Sequence, residues 1–131
     1  MTELKVIKQP GKYQPTAPQP LSGGIRSGDI LWLSGQTSRD PDTGQPVKGD
    51  IKVQTEQVID NIEALLKVEG CGLERVVRCT VFLCDPMDIP GMNEVYLRRF
   101  KKPYPARAAY VISGFTNREY RVEIDAIAVS V

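Results

Sequence analysis

Pro103-Tyr104-Pro105-Ala106-Arg107-Ala108-Ala109-Tyr110-Val111-Ile112-Ser113 separates a helical pattern from a strand pattern and sets one arginine at the join. Proline fixes its own φ and drives the residue before it toward extended geometry, so Pro103 and Pro105 end any helix that precedes them. The small and β-branched residues that follow continue as a strand. Arg107, at the start of that strand, has two readings. It is a solvated or salt-bridged arginine, or it is a planar fork held by a stiff backbone and suited to gripping a carboxylate or phosphate in bidentate fashion.

Upstream of Pro103, the stretch from Asp88 to Lys101 carries Met92, Val95, Tyr96, Arg99 and Phe100 at helical spacing, and Tyr96 and Phe100, one turn apart, read as core. Before it, Glu74 to Cys84 alternates, with Val77, Cys79, Val81 and Leu83 on one face and Arg78, Thr80 and Phe82 on the other. From Asp50 to Glu69, Val58, Ile59, Ile62, Leu65 and Leu66 recur every three or four residues, which predicts an amphipathic helix with Asp50 as N-cap and Gly70 at its end. Asp40-Pro41-Asp42-Thr43-Gly44 is a tight turn, and Ile30 to Gln36 is too apolar to lie in water on both sides, so it reads as a buried strand. Gly23 to Asp29 reads as a hairpin turn region, Gln9 to Pro20 with its four prolines as a surface loop, and Leu4 to Ile7 as a short strand. Downstream, a turn around Thr116 to Glu119 leads to a closing strand, Tyr120 to Val131.

Taken as strand, strand, strand, helix, strand, helix, strand, strand, the order predicts an α+β domain of two layers, a mixed six-stranded sheet with both helices on one face. Trp32, Val111 and Val129 give the other sheet face apolar character that no remaining helix can cover, so self-association through the sheet is expected. In the last strand, period two puts Glu123 and Asp125 about 7 Å apart on one face, with Val122, Ile124 and Ala126 on the other. The pair is either part of a polar surface face or a half-buried site that needs a cation or a bound water.

A chain of 131 residues is one domain, residues 1–131. Seventeen Lys and Arg against 16 Asp and Glu leave a charge of +1, so no global field draws the chain to nucleic acid or to an anionic membrane, and any anion is caught locally. No stretch approaches the roughly 20 apolar residues that span a bilayer, and the N-terminus lacks a secretory pattern, so a cytoplasmic protein is expected. Cys71, Cys79 and Cys84 show no Cys-x-x-Cys spacing and read as reduced core thiols. The absence of histidine removes Ser-His-Asp and Cys-His catalysis and the usual zinc sites, which leaves acid–base work to carboxylates, tyrosines, lysines or water. No metal and no cofactor are expected.

Four segments together carry a resemblance: Ser34-Gly35-Gln36; Asn93-x-x-Tyr96-x-x-x-Phe100; Pro105-Ala106-Arg107-Ala108-Ala109; and Val122-Glu123-Ile124-Asp125-Ala126-Ile127-Ala128-Val129. From about Ile25 onward the chain resembles the reactive intermediate deaminase family, also called RidA or YjgF-like. The resemblance implies a chorismate-mutase-like fold assembled as a homotrimer with clefts at the subunit interfaces. It further implies hydrolysis of 2-imino or 2-enamino acids, such as 2-aminoacrylate, to 2-oxo acids and ammonia. Arg107, helped by the backbone amide of Ala109, corresponds to the residue that grips the substrate carboxylate, and Glu123 to the one that positions water. Ser34 and Gly35 fall where substrate approaches the backbone, or they merely end a strand. Asn93 touches the ligand, or caps or braces its helix.

Two positions depart from the family pattern. Leu21 stands where the deaminases usually carry a pocket tyrosine, and Ala109 where many carry a cysteine. Leu21 implies a different or narrower substrate, or weak deaminase activity, with Tyr13 and Tyr110 as sources of a replacement hydroxyl. Beside the hydrolase stand a trimer that binds small 2-imino or 2-oxo carboxylates without turnover and a translation-inhibiting or RNA-directed relative. The last is disfavoured by the near-neutral charge.

Overall fold

A computed structural model of the chain describes residues 3–130. Eight elements follow one another: β1 (Leu4–Ile7), β2 (Gly24–Ser27), β3 (Ile30–Gln36), α1 (Ile51–Val68), β4 (Val76–Leu83), α2 (Ile89–Arg99), β5 (Ala106–Val111) and β6 (Val122–Val129). Single 3-10 turns at Leu73–Arg75 and Pro86–Asp88 lead into β4 and α2. The six-stranded sheet runs β1-β2-β3-β6-β4-β5, and β4 with β5 is its parallel pair. The closing strand β6 lies antiparallel between β3 and β4. Helix α1 therefore crosses from β3 to β4 with one strand between them, and α2 crosses from β4 to its neighbour β5.

Local sequence explains the ends of α1. The Asp50 carboxylate accepts from the Val53 amide at 3.0 Å, satisfying one of the donors every helix start leaves open. At the other end Gly70 takes a φ of +71°, a left-handed conformation that costs a residue with a Cβ more than it costs glycine. Val58, Ile59, Ile62, Leu65 and Leu66 on α1 are fully buried against Leu31, Val81, Leu83, Val122, Ile124, Ala126 and Ala128 of the sheet. Helix α2 adds Met92, Val95 and Tyr96, and Phe100 just beyond it, to the same core. The two-layer expectation is met: both helices pack in one core on one side of the sheet.

The other side is apolar and open. Trp32 is 48% and Tyr110 55% exposed. Ile25, Trp32 and Ile127 lie opposite one another across three strands, and Phe82 stacks on Tyr110 with centroids 6.1 Å apart. Nothing among the described residues covers this face, as the strand patterns anticipate. No described helix is long and apolar enough to cross a membrane.

Three local readings change. The expected turn region from Gly23 to Asp29 contains β2, and the turn itself is confined to Gly28 and Asp29. A four-residue strand is too short to show period two, and pairing with β1 and β3 stabilises it. Val77 does not share the buried face with Cys79. A register shift between Val76 and Arg78 turns Val76 inward and leaves Val77 47% exposed, because a bulge adds one residue and breaks the alternation. Of the three free thiols only Cys79 is fully in the core; Cys71 and Cys84 are half-buried.

The bulge makes a prediction for equilibrium urea unfolding. Val76→Ala will cost about 2 kcal/mol, the transfer and cavity cost of two buried methyl groups, whereas Val77→Ala will stay within about 0.5 kcal/mol. The opposite order would place the bulge wrongly.

Candidate functional site

Parallel pairing sets Arg107 beside Cys79, a buried residue of the helix side, so Arg107 leaves the edge strand β5 toward α2. There its Nη1 donates to the Asn93 Oδ1 at 2.7 Å, and its Cζ sits 4.8 Å from the centroid of the Tyr96 ring. A cation over an aromatic face and a hydrogen bond from α2 fix the guanidinium plane. Nε and Nη2, the side of the fork that takes a carboxylate in bidentate fashion, have no hydrogen-bond partner among the described residues. Asn93, Leu97, Tyr104 and Pro105 surround this fork in a shallow cleft of about 260 Å³.

The support beneath Arg107 carries an unusual polar atom. Tyr96 is 3% exposed and its ring packs on Phe100 at 4.6 Å, yet its hydroxyl is buried with only the weakly bonding Cys79 thiol as a polar neighbour. Burial pushes the Tyr96 phenol well above its ordinary range, and burial also pushes the neighbouring Cys79 thiol up to about 11. Neither ionises near neutral pH. Cys79 is therefore a packing residue and not a nucleophile.

Glu123 lies elsewhere. Its neighbours in β6, Val122 and Ile124, are buried on the helix side, so Glu123 projects from the open face, opposite Phe82 of β4. It is half-buried, and its pKa is raised from the ordinary carboxylate value first by burial and then by Asp125. The β3 register shifts between Leu33 and Gln36, which brings Gly35 against this carboxylate; a Cβ built on Gly35 comes 2.6 Å from the Glu123 Oε2. Gly35 thus lets the Glu123 carboxylate lie against the β3 backbone, where a larger residue would push it aside. Ser34 is occupied structurally: its hydroxyl donates to the Ser22 carbonyl at 2.6 Å and its amide to the Gly23 carbonyl at 2.9 Å.

Glu123 lines a cleft of about 520 Å³ with Thr37, Arg39, Phe115, Asn117 and Tyr120. Sequence reasoning passed over Thr37, Arg39 and Tyr120, and the one signal for them is that Thr37 and Arg39 closely follow the Ser34-Gly35-Gln36 motif. The structure brings together Arg107 with Asn93, and Glu123 with Gly35, but it does not bring Arg107 to Glu123. They lie on opposite faces of the sheet with β4 between their strands. Ala109 shares the Arg107 side, paired with Val81. Leu21 is 66% exposed and lines a third cavity, of about 380 Å³, with Tyr13 and Gln19. Tyr110 stands on the open face, stacked on Phe82, and Tyr13 packs against Gly44 and under Arg39. Among the described residues no group of His, Cys, Asp and Glu forms a metal site.

A conserved-domain family described as Endoribonuclease L-PSP matches residues 11–130. The chain belongs to this family, the one that also contains the reactive intermediate deaminases. A RutC family protein of Pyrococcus horikoshii is 43% identical over 119 residues, covering 88% of this chain and 94% of the relative. A goat protein named 2-iminobutanoate/2-iminopropanoate deaminase is 39% identical, with 88% of this chain and 83% of the relative covered. The crystal structure of E. coli TdcF with bound serine superimposes with a TM-score of 0.82 at 28% identity, over 95% of this chain and 98% of that one.

Two substitutions test this geometry. Tyr96→Phe removes a buried hydroxyl whose polar neighbour is the Cys79 thiol and keeps the ring under Arg107, so thermal unfolding will change by less than roughly 1 kcal/mol. A larger loss would mean that the hydroxyl has a stronger partner. Gly35→Ala will leave the far-ultraviolet circular dichroism unchanged while displacing the Glu123 carboxylate, seen as a shifted Glu123 pKa by NMR titration.

Proposed function

We propose that the protein hydrolyses 2-imino and 2-enamino acids to 2-oxo acids and ammonia at clefts formed between the subunits of a homotrimer. The observation that carries this reading is the placement of an arginine fork on one face of the sheet and a half-buried carboxylate on the other. Association through the open apolar face lets the Arg107 of one subunit meet the Glu123 of the next. The named activity of the 39% identical relative and the serine bound to TdcF support the substrate class.

The chemistry needs no histidine. Nε and Nη2 of Arg107 take the substrate carboxylate, with the Ala109 amide as a further donor, and Asn93 and Tyr96 hold the guanidinium in register. Glu123 accepts a proton from a water whose oxygen bonds to the electrophilic imine carbon. Glu123 returns that proton to the nitrogen of the protonated imine's adduct, the C–N bond breaks with its electron pair on nitrogen, and ammonia leaves as the adduct's hydroxyl gives its own proton to Glu123 and the C=O bond forms. Burial suits Glu123 to this work, because a pKa above the ordinary carboxylate value narrows the gap to the groups it must exchange protons with.

Generating 2-aminoacrylate beside the protein tests the reaction. Arg107→Ala will reduce its decay to the uncatalysed rate while light scattering still reports three times the chain mass of 14.6 kDa; an active, assembled Arg107→Ala protein overturns the mechanism. Ligand-dependent thermal stabilisation by 2-oxobutyrate without turnover would make the protein a binder. The base must be ionised, so kcat/KM will fall as pH drops through a midpoint above 4.5. Arg107→Ala and Glu123→Gln, each inactive alone, will recover about one quarter of wild-type activity after subunit exchange, because random mixing pairs an intact arginine with an intact glutamate in that share of interfaces. No recovery would mean that one chain holds the whole site.

A further inference from the structure

The cleft of Glu123 is lined by an arginine that this mechanism leaves unused, one that also borders the neighbouring cavity of Tyr13 and Leu21. Arg39 lines it beside Thr37, Tyr120 and Glu123. Its backbone is fixed by a bridge to Pro46 and by the closed turn that follows, where the Asp40 amide donates to the Gln45 carbonyl at 2.8 Å and the Gly44 amide to the Asp40 carbonyl at 2.9 Å. Its side chain is held as well: Cζ lies 5.6 Å from the centroid of the Tyr13 ring, and that ring is seated on Gly44, where a Cβ would come within 2.5 Å of it.

Arg39 makes no ion pair among the described residues. The carboxylates of its own loop are committed to backbone. Asp40 accepts from the Asp42 and Thr43 amides at 2.8 and 3.1 Å, and Asp42 accepts from the Lys12 amide at 3.0 Å. No ion pair joins it to Glu123 either. A half-buried arginine with a fixed backbone, an aromatic support and no counter-charge is a site for an anion.

Resting on the imine-hydrolase reading of the cleft, the geometry points to Arg39 as a specificity-determining residue that receives a second carboxylate on the substrate side chain. The α-carboxylate belongs to Arg107, so Arg39 meets what lies beyond the reacting carbon. An alkyl side chain there strips water from the guanidinium and gives it no partner, whereas a carboxylate restores a charge-assisted contact. The preferred class is therefore 2-imino dicarboxylic acids over 2-imino acids with short alkyl side chains.

The experiment compares the full-length protein and Arg39→Gln on imines generated in situ from glutamate and from 2-aminobutyrate, scoring the ratio of the two kcat/KM values. Wild type is expected to favour the dicarboxylic imine by at least about 10-fold, and Arg39→Gln to lower the ratio by roughly 10- to 100-fold, with Arg39→Lys recovering part of it. No wild-type preference, or an unchanged ratio in Arg39→Gln, overturns the assignment. An equal loss on both substrates overturns it too, making Arg39 the grip for the α-carboxylate. If neither imine is hydrolysed, the hydrolase reading fails, and calorimetric binding decides the role of Arg39. Tighter binding of 2-oxoglutarate than of 2-oxobutyrate, abolished in Arg39→Gln, sustains it, and equal binding overturns it.

Discussion

The insertion of β6 between β3 and β4 is the constraint on which the rest depends. Antiparallel to both neighbours, β6 lets α1 cross from β3 to β4 on the same side as α2, and it carries the central apolar row Val122, Ile124, Ala126 and Ala128 that α1 covers. Period two then leaves Glu123 and Asp125 no alternative to the opposite face. A carboxylate on the central strand of an apolar sheet is poorly solvated from the start, and its raised pKa follows from that position.

Arg107 owes its position to the other end of the same sheet. As the outer strand, β5 has only β4 beside it, and its arginine can lean over α2 onto Tyr96 and Asn93. An edge position keeps the outer side of the fork accessible, while the aromatic face and the amide oxygen remove its rotational freedom. The two charged groups of the proposed reaction are thus prepared separately. One is a cation held rigid at an edge, and the other is an anion lifted in energy at the centre, with the sheet between them. In the reaction proposed above, this separation gives self-association a chemical role beyond covering apolar surface, with a second subunit supplying the other half of the site.

Other strong electrostatic contacts play no part in that chemistry. Arg99 joins Glu56 and Asp60 at the α1–α2 seam, and Arg26 with Lys5 holds the nearly inaccessible carboxylate of Glu69. These tie helices to one another and to the sheet. Their arginines are neutralised by neighbours, in contrast to Arg107, whose fork faces an open cleft, and to Arg39, which lies over Tyr13 with no ion pair among the described residues.

The sequence by itself determined the order of the elements other than β2, the amphipathic face of α1, the shared face of Glu123 and Asp125 and the rigid start of β5, because each rests on periodicity or on the fixed φ of proline, which are local properties. The family was legible for a related reason: Ser34-Gly35-Gln36, Pro105-Ala106-Arg107 and Val122-Glu123-Ile124 are short runs whose spacing survives without coordinates. Only the tertiary structure decided that Gly35 is there to admit the Glu123 carboxylate, that Val76 and not Val77 turns inward, and that Arg39 lines the Glu123 cleft. It also decided that Arg107 and Glu123 face away from each other. Strand order and register set which side of the sheet each residue occupies, and both arise from pairing between segments far apart in the chain.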